Sequence, residues 1–248
     1  MYEQTHELSP GGDGAMTTFV VRPDRDGPHP VVLFLMDAAG IREELRTMAR
    51  RLATSGYYVI LPNLFHRSGV LELPPEATMD DMSVLLHAVT RDTVLADCAA
   101  ALALADGDPA AWTGRAGVVG YCMTGKYAMQ LPAVYPGRIV AAASFHGVDL
   151  LNDSADSPHL SMVAEADYYF GCAELDRWAP LTMVDALARY IAGRGLDGEV
   201  EIYRGCDHGF VFPSRDGETD RAHAAVYDRA GDDRHWERLI ALLRRSVG

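Results

Sequence analysis

No run of about 18 uninterrupted apolar residues occurs in the chain, so it offers no ordinary membrane-spanning helix. The opening residues "MYEQTHELSPGGDG" lack the basic patch and apolar stretch of a secretion signal, and a cytoplasmic protein is expected. Basic tracts are missing too: Lys and Arg number 22 against 35 Asp and Glu, for a formal net charge of −13. The attraction that supplies most nucleic-acid binding is therefore absent, as is a polybasic membrane anchor. Neither nucleic acid nor membrane is expected as a partner; a small-molecule substrate is, taken by a monomer or homodimer. Cysteine is scarce, and Cys98, Cys122, Cys172 and Cys206 form no C-x-x-C pair, which argues against a zinc ribbon or a thioredoxin-type redox motif. In a reducing compartment they are free thiols, and most such thiols belong to a core. Internal repeats and low-complexity linkers are also lacking.

What is present is the composition of a globular chain. Of 248 residues, 48% are hydrophobic and 23% charged, enough to bury a sizeable core, and one domain over 1–248 is expected. Short β-branched or apolar runs alternate with longer helical ones, the pattern of a mostly parallel sheet covered by helices on both faces. "TTFVVRP", "HPVVLFLMD", "YYVILPN", "AGVVGY", "IVAAASFHG", "ADYYFGCAE" and "EVEIYRG" are predicted strands. "IREELRTMARRLATSG" is a predicted helix with Ile41, Leu45, Met48 and Leu52 on one stripe, and a further helical stretch, in one or two pieces, ends at "DGDP". Helices also follow Met123, cover "PLTMVDALARYIAGRG" and close the chain at "DRHWERLIALLRRS", while residues 63–77 read as a loop over one sheet edge. This is a doubly wound α/β chain of about seven or eight strands, and such sheets place ligands at the carboxyl ends of their strands.

Those ends carry reactive side chains: Asp37 after "VVLFLM", Cys122 after "GVVGY", Asp176 after "YYFGCAEL" and His208 after "EIYRGCD". Nucleophile, acid, histidine is the chain order of the α/β-hydrolase triad. A thiol attacks a carbonyl as thiolate, an imidazole can take its proton, and a carboxylate fixes the imidazole's tautomer. Glycines on either side of Cys122 suit a tight turn, and a helix starting behind it favours thiolate through its N-terminal dipole. Read singly, each signal has an ordinary alternative: a core thiol, a hydrogen-bonded histidine, and a solvated carboxylate that could be either Glu174 or Asp176.

The motifs together resemble the dienelactone hydrolase family, over nearly the whole chain. "MDAAGIREELRTMARRLATSGYYVILPNLFHRSG" is similar to its first strand, acidic loop, helix and "GY-V--P-L--R" strand. "GVVGYCMTG" is similar to its nucleophile elbow "GYC-GG", "GCAELD" to its acid turn and "DHGFVFPSR" to its histidine loop. The resemblance implies an α/β-hydrolase fold and an ester- or lactone-cleaving enzyme without cofactor or metal. In it Cys122 is nucleophile, His208 base and Asp176 the orienting acid, with the backbone N–H groups of Met123 and Ala38 forming the oxyanion hole. Asp37 matches a family glutamate that helps release the cysteine as thiolate, but is one methylene shorter. Thr124 stands where the elbow usually has glycine. Gly209 and Phe212 stand where dienelactone-cleaving relatives have a serine and an arginine that hold the substrate carboxylate, so a more apolar acyl group is expected.

Arg67 could contact an anionic group at the site mouth or be a surface arginine, and Trp178 could wall the acyl site or simply pack. His66 and His146 are read as hydrogen-bonded structural histidines. Cys206 and His208, two apart, have no further ligand cluster that would make a metal site. The same shell could also close a lactone, transfer an acyl group, or bind without catalysis.

Overall fold

Strands form where the apolar runs predict them. The computed structural model describes residues 1–74, 76–215 and 226–248; Pro75, in the predicted loop, lies outside them. Among the described residues, eight strands are hydrogen-bonded in the order β1-β2-β4-β3-β5-β6-β7-β8, a mostly parallel α/β-hydrolase sheet with six α-helices. The chain divides into two compact units, Met1–Ala116 and Gly117–Gly248.

In the first unit β2 (Met16–Arg22) pairs antiparallel with β4 (Tyr58–Pro62), and β3 (His29–Leu35) runs parallel to β4. Between them α1 (Glu43–Thr54) buries Leu45, Met48 and Leu52, the predicted stripe. Each such side chain removed from water is worth roughly 1.5–3 kcal/mol, which holds the helix on its neighbours. The following helical stretch is two helices, α2 (Met79–Ala88) and α3 (Arg91–Asp106). Each starts at a threonine whose hydroxyl accepts from the third helical N–H: Thr78 from Asp81 and Thr90 from Thr93.

One strand was not expected. β1 (Tyr2–Leu8) pairs antiparallel with β2 from Tyr2↔Arg22 to Leu8↔Met16. Its residues are largely exposed, so no buried face marks it in the sequence. β5 (Ala111–Tyr121) starts five residues before the predicted "AGVVGY", because its first half is mostly exposed and polar.

In the second unit the chain leaves β5 through α4 (Gly125–Val134) to β6 (Ile139–Phe145), then runs by a long loop to β7 (Asp167–Ala173). α5 (Leu181–Arg194), β8 (Gly198–Tyr203) and α6 (Arg229–Ser246) complete it. β6, β7 and β8 are parallel neighbours, in register from Ala141↔Asp167 and from Tyr168↔Gly198. Among the described residues no helix is long and apolar enough to cross a membrane.

Candidate active site

β5 delivers Tyr121 to the sheet end, and Cys122–Thr124 then makes one tight 3-10 turn before α4. Cys122 sits there at φ +53°, in the left-handed region. For a residue with a Cβ that conformation costs about 1–3 kcal/mol and persists only where its surroundings over-determine it. Thr124 supplies part of that constraint: its fully buried hydroxyl accepts from the Tyr121 N–H (2.9 Å) and donates to the Tyr121 carbonyl (3.0 Å). The branched residue at the usual glycine position thus clamps the turn. Val148 N–H holds the Cys122 carbonyl at 3.2 Å. The flanking glycines are required by space: a Cβ on Gly120 would lie 2.5 Å from the Thr124 carbonyl oxygen, and one on Gly125 would meet Ser144 Oγ and lie 2.9 Å from Gly147 Cα.

The acid turn follows β7 and is pinned to the turn after β8, with Glu174 N–H on the Tyr203 carbonyl (3.0 Å) and Leu175 N–H on that of Cys206 (2.9 Å). This separates the two candidate acids. Glu174 accepts from Arg204 Nη1 (2.9 Å) and the Gly205 N–H (2.8 Å). Asp176 is 3% exposed; its Oδ1 accepts from the N–H groups of Trp178 (2.8 Å) and Ala179 (3.3 Å), while its Oδ2 lies 2.7 Å from His208 Nδ1. The loop bearing His208 is held by Arg215 Nη1, which donates to the His208 carbonyl at 2.9 Å. Gly209, at φ +85°, leaves the space Arg215 occupies. Burial pulls the His208 pKa down, but hydrogen bonds to Asp176 and Cys122 and the negative charge of both outweigh it, and the imidazole is pushed up to about 10.

The other cysteines are core thiols. Cys98, Cys172 and Cys206 are buried, and burial pushes Cys172 and Cys206 up to about 12 and raises Cys98 as well. Cys122 is only partly buried. His146 departs from the hydrogen-bonded histidine expected. It follows β6 at φ +38° with its N–H on the Gly171 carbonyl (2.8 Å), and neither ring nitrogen has a hydrogen-bond partner among the described residues. Its ring meets that of His208 edge to face, centroids 4.8 Å apart, and burial together with the charge of His208 lowers its pKa well below the usual histidine value.

The remaining expected residues fall elsewhere. Met123 is buried in the elbow turn. Ala38 and Asp37 belong to the first unit, just after β3. The Asp37 carboxylate accepts from Ala39 N–H (3.2 Å) and is bidentate to Arg42 (2.6 and 3.1 Å), a partner no local spacing announced. Arg67, expected as a surface or substrate-facing cation, is bidentate to the fully buried Asp97 (3.0 and 2.9 Å) and bonded to Asp13 (3.2 Å). His66 Nε2 shares Asp97 at 3.2 Å. Phe212, expected to contact substrate, is 2% exposed and packs on Tyr121 and His146. Trp178 is 48% exposed, with the Arg177 guanidinium 4.6 Å above its ring. Among the described residues no group of three His, Cys, Asp or Glu side chains could hold a metal.

A family model described as "Dienelactone hydrolase family" matches residues 16–247. A protein provisionally named carboxymethylenebutenolidase in Methylorubrum extorquens is 30% identical over 181 residues, covering 68% of this chain and 62% of that protein. One with the same provisional name in Escherichia coli O157:H7 is 26% identical over 251 residues, covering 94% and 83%. A crystal structure from Klebsiella pneumoniae, provisionally titled a dienelactone hydrolase, superposes with TM-score 0.81 at 24% identity, covering 99% of this chain and all of that one. At that identity the likeness establishes the fold.

Proposed function

Because the chain belongs to the dienelactone hydrolase family and is a carboxylic ester hydrolase of that kind, we propose that Cys122 is its nucleophile and that it cleaves esters or lactones through a thioester. The observation that carries this is the Asp176–His208 contact of 2.7 Å, with Cys122 on a strained turn near enough to raise the His208 pKa. With the proton on His208, the sulfur reacts as the thiolate of an ion pair. It attacks the carbonyl carbon, and the displaced electron pair forms an oxyanion for which the Met123 N–H is the proposed donor. Collapse breaks the C–O bond, and His208 gives its proton to the departing alkoxide. Neutral His208 then takes a proton from water as it attacks the thioester, and the second collapse releases the acid and restores the ion pair. Asp176 holds the imidazole with Nδ1–H toward itself throughout.

The acyl group is proposed to be apolar rather than a carboxylate-bearing dienelactone. Gly209 sits at φ +85°, where a serine would be strained and would displace the Arg215 guanidinium that holds the His208 carbonyl. Arg67, tied to Asp97 and Asp13, and Asp37, tied to Arg42, are given no step. Replacing Cys122 by Ala tests the reading on p-nitrophenyl acetate and a panel of small lactones and thioesters: turnover should drop by at least about a thousandfold. Turnover near that of the parent would overturn it.

A further inference from the structure

A second buried hydrogen-bonded array lies behind the strand that delivers Cys122, and the proposed reaction leaves it unused. Tyr121 Oη is 2.9 Å from His235 Nε2, and His235 Nδ1 is 3.3 Å from Asp232 Oδ1. Tyr227 donates to the other Asp232 oxygen at 3.4 Å. Tyr121 and His235 are fully buried and Asp232 nearly so. Asp232 and His235 occupy the first turns of α6, whose start is capped by Asp228 accepting from the Gly231 N–H at 2.6 Å. Since Asp232 is the acceptor at Nδ1, Nε2 carries the lone pair and the Tyr121 hydroxyl donates to it. The His235 ring also stands edge-on to Phe145, centroids 4.2 Å apart, which fixes its plane.

Each group in such an array is costly if left unpaired, whereas apolar residues of the same shape could fill the space without that exposure to loss. What the array adds is direction, and the residue it directs is the one immediately before Cys122. The Tyr121 backbone is already clamped by Thr124 through both its N–H and its carbonyl. The Cys122 carbonyl is held by Val148. On the Tyr121 side chain, whose ring packs on Phe145, His146 and Phe212, His235 adds a directional hydrogen bond at the hydroxyl. A left-handed cysteine relaxes unless it is held from several sides, and relaxation would carry Sγ away from His208.

We propose that His235, oriented by Asp232, is a positioning residue for the nucleophile: through the Tyr121 hydroxyl it keeps the elbow in the strained form in which Cys122 meets His208. The proposal rests on the reading of Cys122 as nucleophile. It is tested with Tyr121→Phe, which removes only the hydroxyl, with His235→Leu, and with His235→Gln, which can still accept a hydrogen bond from Tyr121. Three readouts are taken for each: kcat and KM on p-nitrophenyl acetate, the pH profile of Cys122 alkylation by iodoacetamide, and Tm. A displacement near 1 Å at a reacting atom can cost about a hundredfold. Tyr121→Phe and His235→Leu should therefore lower kcat about ten- to a hundredfold with KM within about twofold, and move the alkylation profile to higher pH, while His235→Gln recovers most of both. The proposal is overturned if Tyr121→Phe keeps the parent's kcat and profile, or if Gln falls as far as Leu in protein that folds. Should His235→Leu fail to fold, Tyr121→Phe decides alone. Failure of the nucleophile reading shows separately, as full turnover by Cys122→Ala.

Discussion

Of the carboxylates buried in this molecule with basic partners, Asp97 in the first unit and Asp176 in the second differ in what lies beyond those partners. Asp97, in the first unit, is fully buried and gives both oxygens to the Arg67 fork, with His66 sharing one of them. A bidentate guanidinium–carboxylate pair fills the donor and acceptor sites that face each other and has no proton to pass on. Asp176, in the second unit, gives one oxygen to two backbone N–H groups and the other to an imidazole. That imidazole has a second nitrogen, and Cys122 is the neighbour that, with Asp176, raises its pKa. The same residue type thus ends in a closed ion pair in one place and in an open chain of proton carriers in the other. The difference is made by what lies beyond the partner: at Asp97 the Arg67 fork closes the pair and His66 Nδ1 has no hydrogen-bond partner among the described residues, whereas His208 lies next to Cys122.

Amidation separates the two most sharply. Asp176→Asn keeps the turn but presents a donor where His208 Nδ1–H needs an acceptor, so kcat/KM should fall by about 10³–10⁴. Asp97→Ala leaves the Arg67 and His66 groups without their buried counter-charge. It should lose about 3 kcal/mol of stability in urea titration while kcat/KM stays within twofold. If Asp97→Ala slows turnover as strongly as Asp176→Asn does, the contrast between a closed and an open carboxylate collapses.

The elbow gives a smaller effect. Thr124→Val preserves shape and removes both hydrogen bonds to the Tyr121 backbone, which should cost about 1–3 kcal/mol of stability and lower kcat severalfold more than KM. A variant as active and stable as the parent would show that the flanking glycines alone hold Cys122 at positive φ.

A third set of effects is in pH, where the two imidazoles in edge-to-face contact should act with opposite sign. The His208 pKa is raised to about 10, so its contribution to stability is complete below the unfolded histidine value near 6.5 and is lost as pH rises from there through 10. His146 is shifted down, chiefly by burial. Below about pH 6.5 the unfolded chain takes up that proton and the native state does not, so stability falls on acidification by up to about 1.4 kcal/mol per pH unit. His146→Phe should therefore flatten the acid side of the stability profile, and Asp176→Asn the alkaline side, measured as urea midpoints from pH 5 to 10. Equal slopes in parent and His146→Phe below pH 6.5 would remove His146 from this account.

Much of the fold was legible because its signals are local. Leu45, Met48 and Leu52 repeat at helical spacing, and β2, β3, β4, β6, β7 and the second half of β5 coincide with apolar runs, since a buried strand must be apolar wherever its neighbours come from. β1 was not legible: its residues are exposed, and only hydrogen bonding to β2 makes it a strand.

Within the candidate site, the sequence by itself determined the chain order of cysteine, acid and histidine and the need for glycine around Cys122, because a tight turn after a strand is dictated by residues that adjoin it. Tertiary structure decided everything that depends on which distant group arrives: Asp176 rather than Glu174 against His208, Arg67 on Asp97, and Phe212 packed beneath Tyr121 and His146. It also placed His235, 114 residues along the chain, on the Tyr121 hydroxyl. A side chain's chemistry is written in its own residue, but its partner is chosen by chain topology and the exclusion of water, and no local spacing encodes that choice.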